Sequence, residues 1–426
     1  MNLLIRGGRV IDPAQGRDEI ADVAIVHGHI AARAAPNSPE FDATGLVVAP
    51  GFIDMHVHLR EPGFEHAETI ETGARAAAAG GFTTICCMPN TKPVNDSATV
   101  TSYIVERARK HAVVNVFPIG AITKGSEGVE LSTIASMKEA GIVAISDDGR
   151  PVMNARVMRR AMETARALDL TVINHCEDLH LSAGGDMHEG IESVRLGLRG
   201  IPSASEDVMV ARDILLAELT GARYHDAHIS ARHSVAMVAF AKSKGLRVTA
   251  ETTPHHFALT DKELGRYDSN YKMKPPLRCG IDVEAVIEGI KSGAIDAIAT
   301  DHAPHAGSEK MQEFESCPFG ILGLETALGL SFDCLVHAGH ISINRLIELF
   351  TSGPAGVLRL NRGTLREGAP GDVTILDPEL SWTYDVNQSA SKSRNSPFHG
   401  RAFRGASVAT IVGGKVVPIR PEAAKY

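Results

Sequence analysis

Residues 51–58, Gly-Phe-Ile-Asp-Met-His-Val-His, read as a strand ending in two histidines, His56 and His58, two positions apart. Side chains at i and i+2 of a strand share a face, so both imidazoles can meet one ion. A neutral imidazole nitrogen is a favoured zinc donor. A pair of hydrogen-bonded core histidines would have the same spacing, so the pair by itself does not decide. Other apolar runs end in the same kind of residue. Asp147-Asp148-Gly149 follows residues 142–146, His175 follows 170–174, His228 closes 224–227, and Asp301 follows 295–300. Four imidazoles and two carboxylates are donors enough for two divalent ions with a carboxylate between them. The chemistry such a centre performs is hydrolysis, because a bound ion makes water nucleophilic near neutral pH and polarises a carbonyl. Strand parity does not choose between Asp147 and Asp148, since the turn at Gly149 breaks the alternation; the residue not used is left a turn or capping role.

Positioning these residues requires strands that run side by side. Apolar runs at 47–57, 83–88, 113–119, 142–146, 170–175, 223–229, 246–252 and 295–300 alternate with helical patterns such as 71–79, 152–168, 205–219, 235–243 and 283–291. Eight strand–helix units over about 300 residues predict a (β/α)8 TIM barrel, an α/β fold whose active site gathers at the C-terminal strand ends. Short strands at 3–5, 9–11, 23–26 and 29–32 recur in texture at 371–377, 408–412 and 415–417, so one small β-domain is expected from both termini. The expected division is 1–49, 50–357 and 358–426. Residues 178–204 read as an irregular, Gly-containing insertion. Cys86 and Cys87 are expected to pack as small apolar groups, and His66, His111, His180 and His188 to be exposed.

Composition narrows the function class. The 426 residues carry 43 Lys+Arg against 51 Asp+Glu, a formal charge of −8, which argues against nucleic acid or an anionic membrane as partner. No apolar run reaches the roughly 18 residues of a membrane span. Six cysteines without a CxxC pair suggest a reduced, cytoplasmic chain without a disulfide framework.

The motifs HVHLREPG (56–63), CMPNT (87–91), SDDG (146–149), NHCED (174–178), AHIS (227–230), KPPLR (274–278) and ATDHAPH (299–305), with GAPGDVTILD (368–377), together resemble the cyclic amidohydrolases, specifically class I dihydroorotase. The resemblance implies that the terminal β-domain is a β-sandwich. It implies that His56, His58 and Asp301 hold one zinc, that His175 and His228 hold a second, and that Asp148 bridges; one or two Zn2+ per subunit are expected, two preferred. It places Arg60, Asn90 and His305 on the substrate carboxylate, the Phe319-Gly320 backbone on the ring, and His58 at the substrate. Lys274 stands where the family pattern has Asn, and an ammonium cannot accept the hydrogen bonds an amide can, so its ring contact must differ or disappear. The implied reaction is the reversible, zinc-dependent cyclisation of N-carbamoyl-L-aspartate to (S)-dihydroorotate plus water in de novo pyrimidine (UMP) biosynthesis, with metal-activated hydroxide as nucleophile and Asp301 as general acid/base. Two alternatives stand beside it: a hydantoinase- or allantoinase-type amidase, for which a bridging carbamylated Lys is expected instead of Asp148, and a scaffold subunit of aspartate transcarbamoylase, which would be free to lose ligands that this chain retains. A homo-oligomer and association with aspartate transcarbamoylase are both compatible with the sequence.

Overall fold

The computed structural model describes residues 1–417; the last residues of the expected 358–426 segment, 418–426, lie outside the described residues. All eight expected barrel strands are present and parallel. Phe52–Val57, Phe82–Cys87 and Asn115–Pro118 form one arc, and Ala144–Ile145, Thr171–Asn174, Arg223–Asp226, Val248–Thr252 and Ala297–Ile298 form another. Parallel bridges Gly120↔Ile145 and Val57↔His302 join the arcs at both seams. Phe52–Val57 and Phe82–Cys87 are buried along their whole length, as expected for parallel strands covered on both faces. Helices Ile70–Gly80, Ala98–His111, Ile134–Ala140, Ala155–Ala167, Ala204–Thr220, Arg232–Ser243, Gly280–Ser292 and Ile343–Phe350 follow the strands. Local signals start and stop them: Thr69 and Thr72 cap the first reciprocally, and Asn154 accepts the backbone N–H groups of Arg156 and Val157 in the fourth.

The expected first strand, 47–57, is two strands. Val47–Pro50 pairs with the terminal sheet and Phe52–Val57 with the first parallel arc. The break is Gly51, where a Cβ would lie 2.1 Å from Thr83 Oγ1. The terminal strands Leu3–Asp12, Arg17–Val26, His29–Ala31, Glu40–Asp42, Val47–Pro50, Val373–Thr383, Ala402–Val412 and Lys415–Val417 form one eight-stranded sheet with its own apolar core of Ile5, Val10, Ile25, Val48, Val373 and Ile411. The expected break between 3–5 and 9–11 is instead a bulge within Leu3–Asp12, with the register shift between Ile5 and Gly8.

Two further segments differ from expectation. Residues 178–204 carry order of their own: helix Ile191–Leu196 and a short parallel pair, Met187–His188 with Gly200–Ile201. That pairing buries His188, expected to be exposed, with Nδ1 3.4 Å from Arg278 Nη1. Residues 384–401, between two strands of the terminal sheet, leave that sheet and pack on the loops that follow the parallel strands. Ser393 Oγ donates to Ala67 O at 2.7 Å, and Asn395 reaches the 303–320 loop. All six cysteines are free, with Cys86 and Cys87 buried. Among the described residues no helix is long and apolar enough to cross a membrane.

Candidate metal centre and substrate pocket

The strand ends bring all six expected donors together. Asp148 lies at the centre: its carboxylate is 3.3 Å from His56 Nε2, 3.5 Å from His58 Nε2, and 3.7 Å from both His175 Nδ1 and His228 Nε2. Asp301 Oδ1 is 3.0 Å from His58 Nε2 and 3.6 Å from His56 Nε2. His175 Nδ1 and His228 Nε2 face each other at 2.9 Å. Asp147 turns away. It accepts from the backbone N–H groups of Ile122 and Thr123 at 2.8 and 3.1 Å and from the Thr123 hydroxyl, so it organises the preceding loop. His228 (φ 37°), Asp301 (φ 47°) and Arg60 (φ 59°) all sit in the left-handed region, a cost that tertiary structure sustains here, at the site.

The outer nitrogens of three of the four imidazoles are already spoken for, while His228 Nδ1 is buried without a hydrogen-bond partner. His56 Nδ1 lies 2.7 Å from Glu251 Oε1, His58 Nδ1 2.8 Å from Asn90 Oδ1, and His175 Nε2 3.0 Å from Glu177 Oε2. Each outer partner is an acceptor, so the proton belongs on the outer nitrogen and a lone pair faces inward. Those lone pairs converge on carboxylate oxygens, and His56 Nε2 and Asp148 Oδ1 are buried without a hydrogen-bond partner. Facing acceptors repel unless a cation lies among them. Burial works against charge on His56, yet Asp148 and Glu251 raise its pKa well above the usual value. Burial likewise opposes ionisation of Asp148 and Asp301, but the facing imidazoles hold both below the usual carboxylate range. Deprotonated carboxylates and inward lone pairs are what a divalent ion requires. His56, His58 and Asp301, and His56, Asp148 and His228, each converge closely enough to share one ion. The donor set fits zinc, with nitrogen and oxygen ligands and outer carboxylates orienting the rings.

The remaining expected residues make contacts beside this cluster. Half-buried Arg60 donates from Nε to Pro304 O at 3.0 Å and lies 3.4 Å from His305 Nε2 through Nη2. No carboxylate among the described residues lies within 4 Å of its guanidinium. Burial and the Arg60 charge push the His305 pKa down to about 3, and the ring lies 2.8 Å from Phe319 O through Nε2. Asn90 Nδ2 donates to Asp148 Oδ2 at 3.4 Å. Lys274 Nζ is taken by Glu177 Oε1 at 2.7 Å. Gly320 is held through its carbonyl by Asn395 Nδ2 at 3.1 Å.

Sequence reasoning missed Glu177, Glu251 and Asn395. Glu177 was within sight, two residues from His175 in the NHCED run; Glu251 and Asn395 carry no local signal. His256 is satisfied on both nitrogens, near Thr253 Oγ1 and Pro275 O at 2.8 and 3.0 Å.

Comparison with known proteins gives the family. A family profile described as "Dihydro-orotase-like" matches residues 45–234. A dihydroorotase of Solibacter usitatus (strain Ellin6076) is 71% identical over 97% of both chains. The chain belongs to the dihydroorotase family. A dihydroorotase of Pelotomaculum thermopropionicum is 56% identical over 98% of both chains. Among solved structures, an L-hydantoinase (dihydropyrimidinase) from Arthrobacter aurescens superposes with a TM-score of 0.88, at 26% identity over 98% of this chain and 96% of that one. This chain thus shares the architecture of that hydantoinase, at 26% identity against 71% for the Solibacter dihydroorotase.

Proposed function

We propose that this dihydroorotase-family chain is a catalytic cyclic amide hydrolase that interconverts N-carbamoyl-L-aspartate and (S)-dihydroorotate. The observation that carries the reading is Asp148, whose carboxylate faces all four imidazoles within 3.7 Å and so suits a bridge between two ions. We read the two parallel arcs, joined at both seams, as a closed (β/α)8 barrel, with the terminal sheet as a small β-sandwich; Gly51 is the natural boundary between them.

His56, His58 and Asp301 would hold one zinc, His175 and His228 the other, with Asp148 between. When bound, zinc supplies a nucleophilic water near neutral pH and Lewis acidity toward the amide carbonyl. The protein's own groups do the rest. Arg60, whose guanidinium has no carboxylate within 4 Å among the described residues, pairs with the substrate carboxylate. Neutral His305 and the Asn90 amide frame the same carboxylate, and the Phe319-Gly320 backbone meets the ring. In ring opening the C–N bond of the amide breaks, the carbonyl carbon gains hydroxyl, and Asp301 carries the proton to the departing ring nitrogen. Closure runs the same path backwards and releases water. A scaffold role without catalysis is disfavoured because all six donors converge. Leu215, Leu219 and Phe240 leave apolar surface exposed on two neighbouring helices, so assembly with a second copy or with aspartate transcarbamoylase is compatible with this reading.

The test offers dihydroorotate, hydantoin and allantoin in parallel to chelated and zinc-reloaded protein, with metal content measured on the same samples. Ring opening of dihydroorotate restored by two equivalents of zinc is expected. Full turnover by the metal-free protein, or faster hydantoin than dihydroorotate hydrolysis, would refute the reading.

A further inference from the structure

The surroundings of Lys274 give it a task other than a ring contact. Its Nζ lies 2.7 Å from Glu177 Oε1, while the other oxygen of the same carboxylate, Oε2, accepts from His175 Nε2 at 3.0 Å. The far nitrogen of that imidazole, Nδ1, faces His228 and Asp148. One carboxylate therefore links the ammonium to a donor of the second ion. The same ammonium lies 4.9 Å from the centre of the Phe319 ring, and Lys272, two residues earlier, places its own Nζ 4.6 Å from that ring. Phe319 O in turn contacts His305 Nε2 at 2.8 Å. Lys274 thus touches the outer support of one metal donor and the loop that frames the substrate.

Asparagine at this position could do neither. Its amide nitrogen lies three bonds from the Cα, against five for the lysine Nζ, and carries no charge, so it would neither reach Glu177 by the same path nor attract the face of an aromatic ring as a cation does. We propose that Lys274 is a positioning residue: through Glu177 it fixes His175 for the second ion, and through the Phe319 ring it ties that ion's site to the substrate loop. The inference rests on the two-ion reading above.

The experiment is a metal titration of the purified full chain by competition with a chromophoric chelator, for wild type, Lys274→Met, Lys274→Asn, Lys274→Arg, Glu177→Gln and the Lys274→Met/Glu177→Gln double variant. Far-UV circular dichroism and the unfolding midpoint verify the fold of each. Partners that orient a metal-bound histidine typically contribute 10–100-fold to metal affinity. In Lys274→Met and Lys274→Asn, one binding step is expected to weaken about tenfold, with the other within about twofold of wild type. Lys274→Arg, which keeps a cation able to reach Glu177 and stack on Phe319, should recover most of the loss. Because the effect passes through Glu177, Lys274→Met should add little in the Glu177→Gln background. The KM for dihydroorotate should rise by less than about threefold in zinc-saturated Lys274→Met.

Wild-type protein that binds fewer than two ions would overturn the two-ion reading and this inference with it. Two ions bound with both steps unchanged in Lys274→Met would overturn the inference alone. So would additive effects in the double variant, or a tenfold rise in KM at unchanged metal affinity, which would mark Lys274 as a substrate contact.

Discussion

Replacing Arg60 by Met separates recognition of the substrate carboxylate from the chemistry of the ring. The guanidinium is half-buried, spends Nε on Pro304 O at 3.0 Å, and has no carboxylate within 4 Å among the described residues. Beyond the 3.4 Å approach of Nη2 to His305 Nε2, its remaining N–H groups can form a forked pair with a substrate carboxylate. A charge-assisted hydrogen bond contributes about 1.5–3 kcal/mol, so at about 1.4 kcal/mol per factor of ten, losing one lowers kcat/KM for dihydroorotate by about 10- to 150-fold. Losing both arms of a fork exceeds that. Met preserves the unbranched stem and the same backbone demands at φ 59°, so the metal cluster keeps its walls. Lys restores charge without the planar fork and should recover only part of the loss. The assay is kcat/KM on dihydroorotate and on unsubstituted hydantoin, which carries no carboxylate, for wild type, Arg60→Met and Arg60→Lys. A selective loss on dihydroorotate is expected. Equal losses on both rings would show that Arg60 supports the fold or the metal cluster, and the carboxylate assignment would fall.

Asp301→Asn removes the proton carrier and should lower kcat by about 10²–10⁴-fold with a far smaller change in KM; near-normal turnover in steady-state kinetics would move the proton to another group. Asn395→Ala removes the bonds to Ala303 O and Gly320 O at 2.9 and 3.1 Å and to the His305 N–H at 3.1 Å, so it should raise KM and speed proteolysis within residues 303–320; an unchanged cleavage rate would contradict that role. His188 has its pKa lowered to about 4 by burial and by Arg278, against a weaker upward pull from Asp282. A group whose folded pKa lies below its unfolded value of about 6.5 makes the unfolded chain bind the proton first, so stability falls as pH drops from about 6.5 to about 4. Urea midpoints across that range should show a shallower fall in His188→Gln, and an identical slope in both proteins would refute the assignment.

Much of this protein was legible in its residues. Continuous apolar runs and period-3.6 apolar patterns arise from local backbone geometry and burial, so all eight parallel strands and the five helices first marked could be placed from sequence. The metal donors were legible for a related reason: in such folds the active site collects at strand ends, and a strand end is itself a local feature. Local geometry also explains what was misjudged nearby. Gly7-Gly8 reads equally as a turn or a bulge, and only pairing with Arg17–Val26 chooses the bulge. The 47–57 run is apolar throughout, and only the crowding of Thr83 against Gly51 shows where one sheet ends and the next begins. The choice of Asp148 over Asp147 came with the family resemblance; the geometry supplied its reason, because the Ile122 and Thr123 amides claim Asp147. Apart from Glu177, two residues from His175, the outer supports were decided by tertiary structure. Glu251 lies 195 residues from His56, Lys274 lies 97 from Glu177, and Asn395 lies 90 from His305. No periodicity connects residues so far apart; the closing of the fold sets which carboxylate stands behind which imidazole, and thereby where each proton sits and where the lone pairs point.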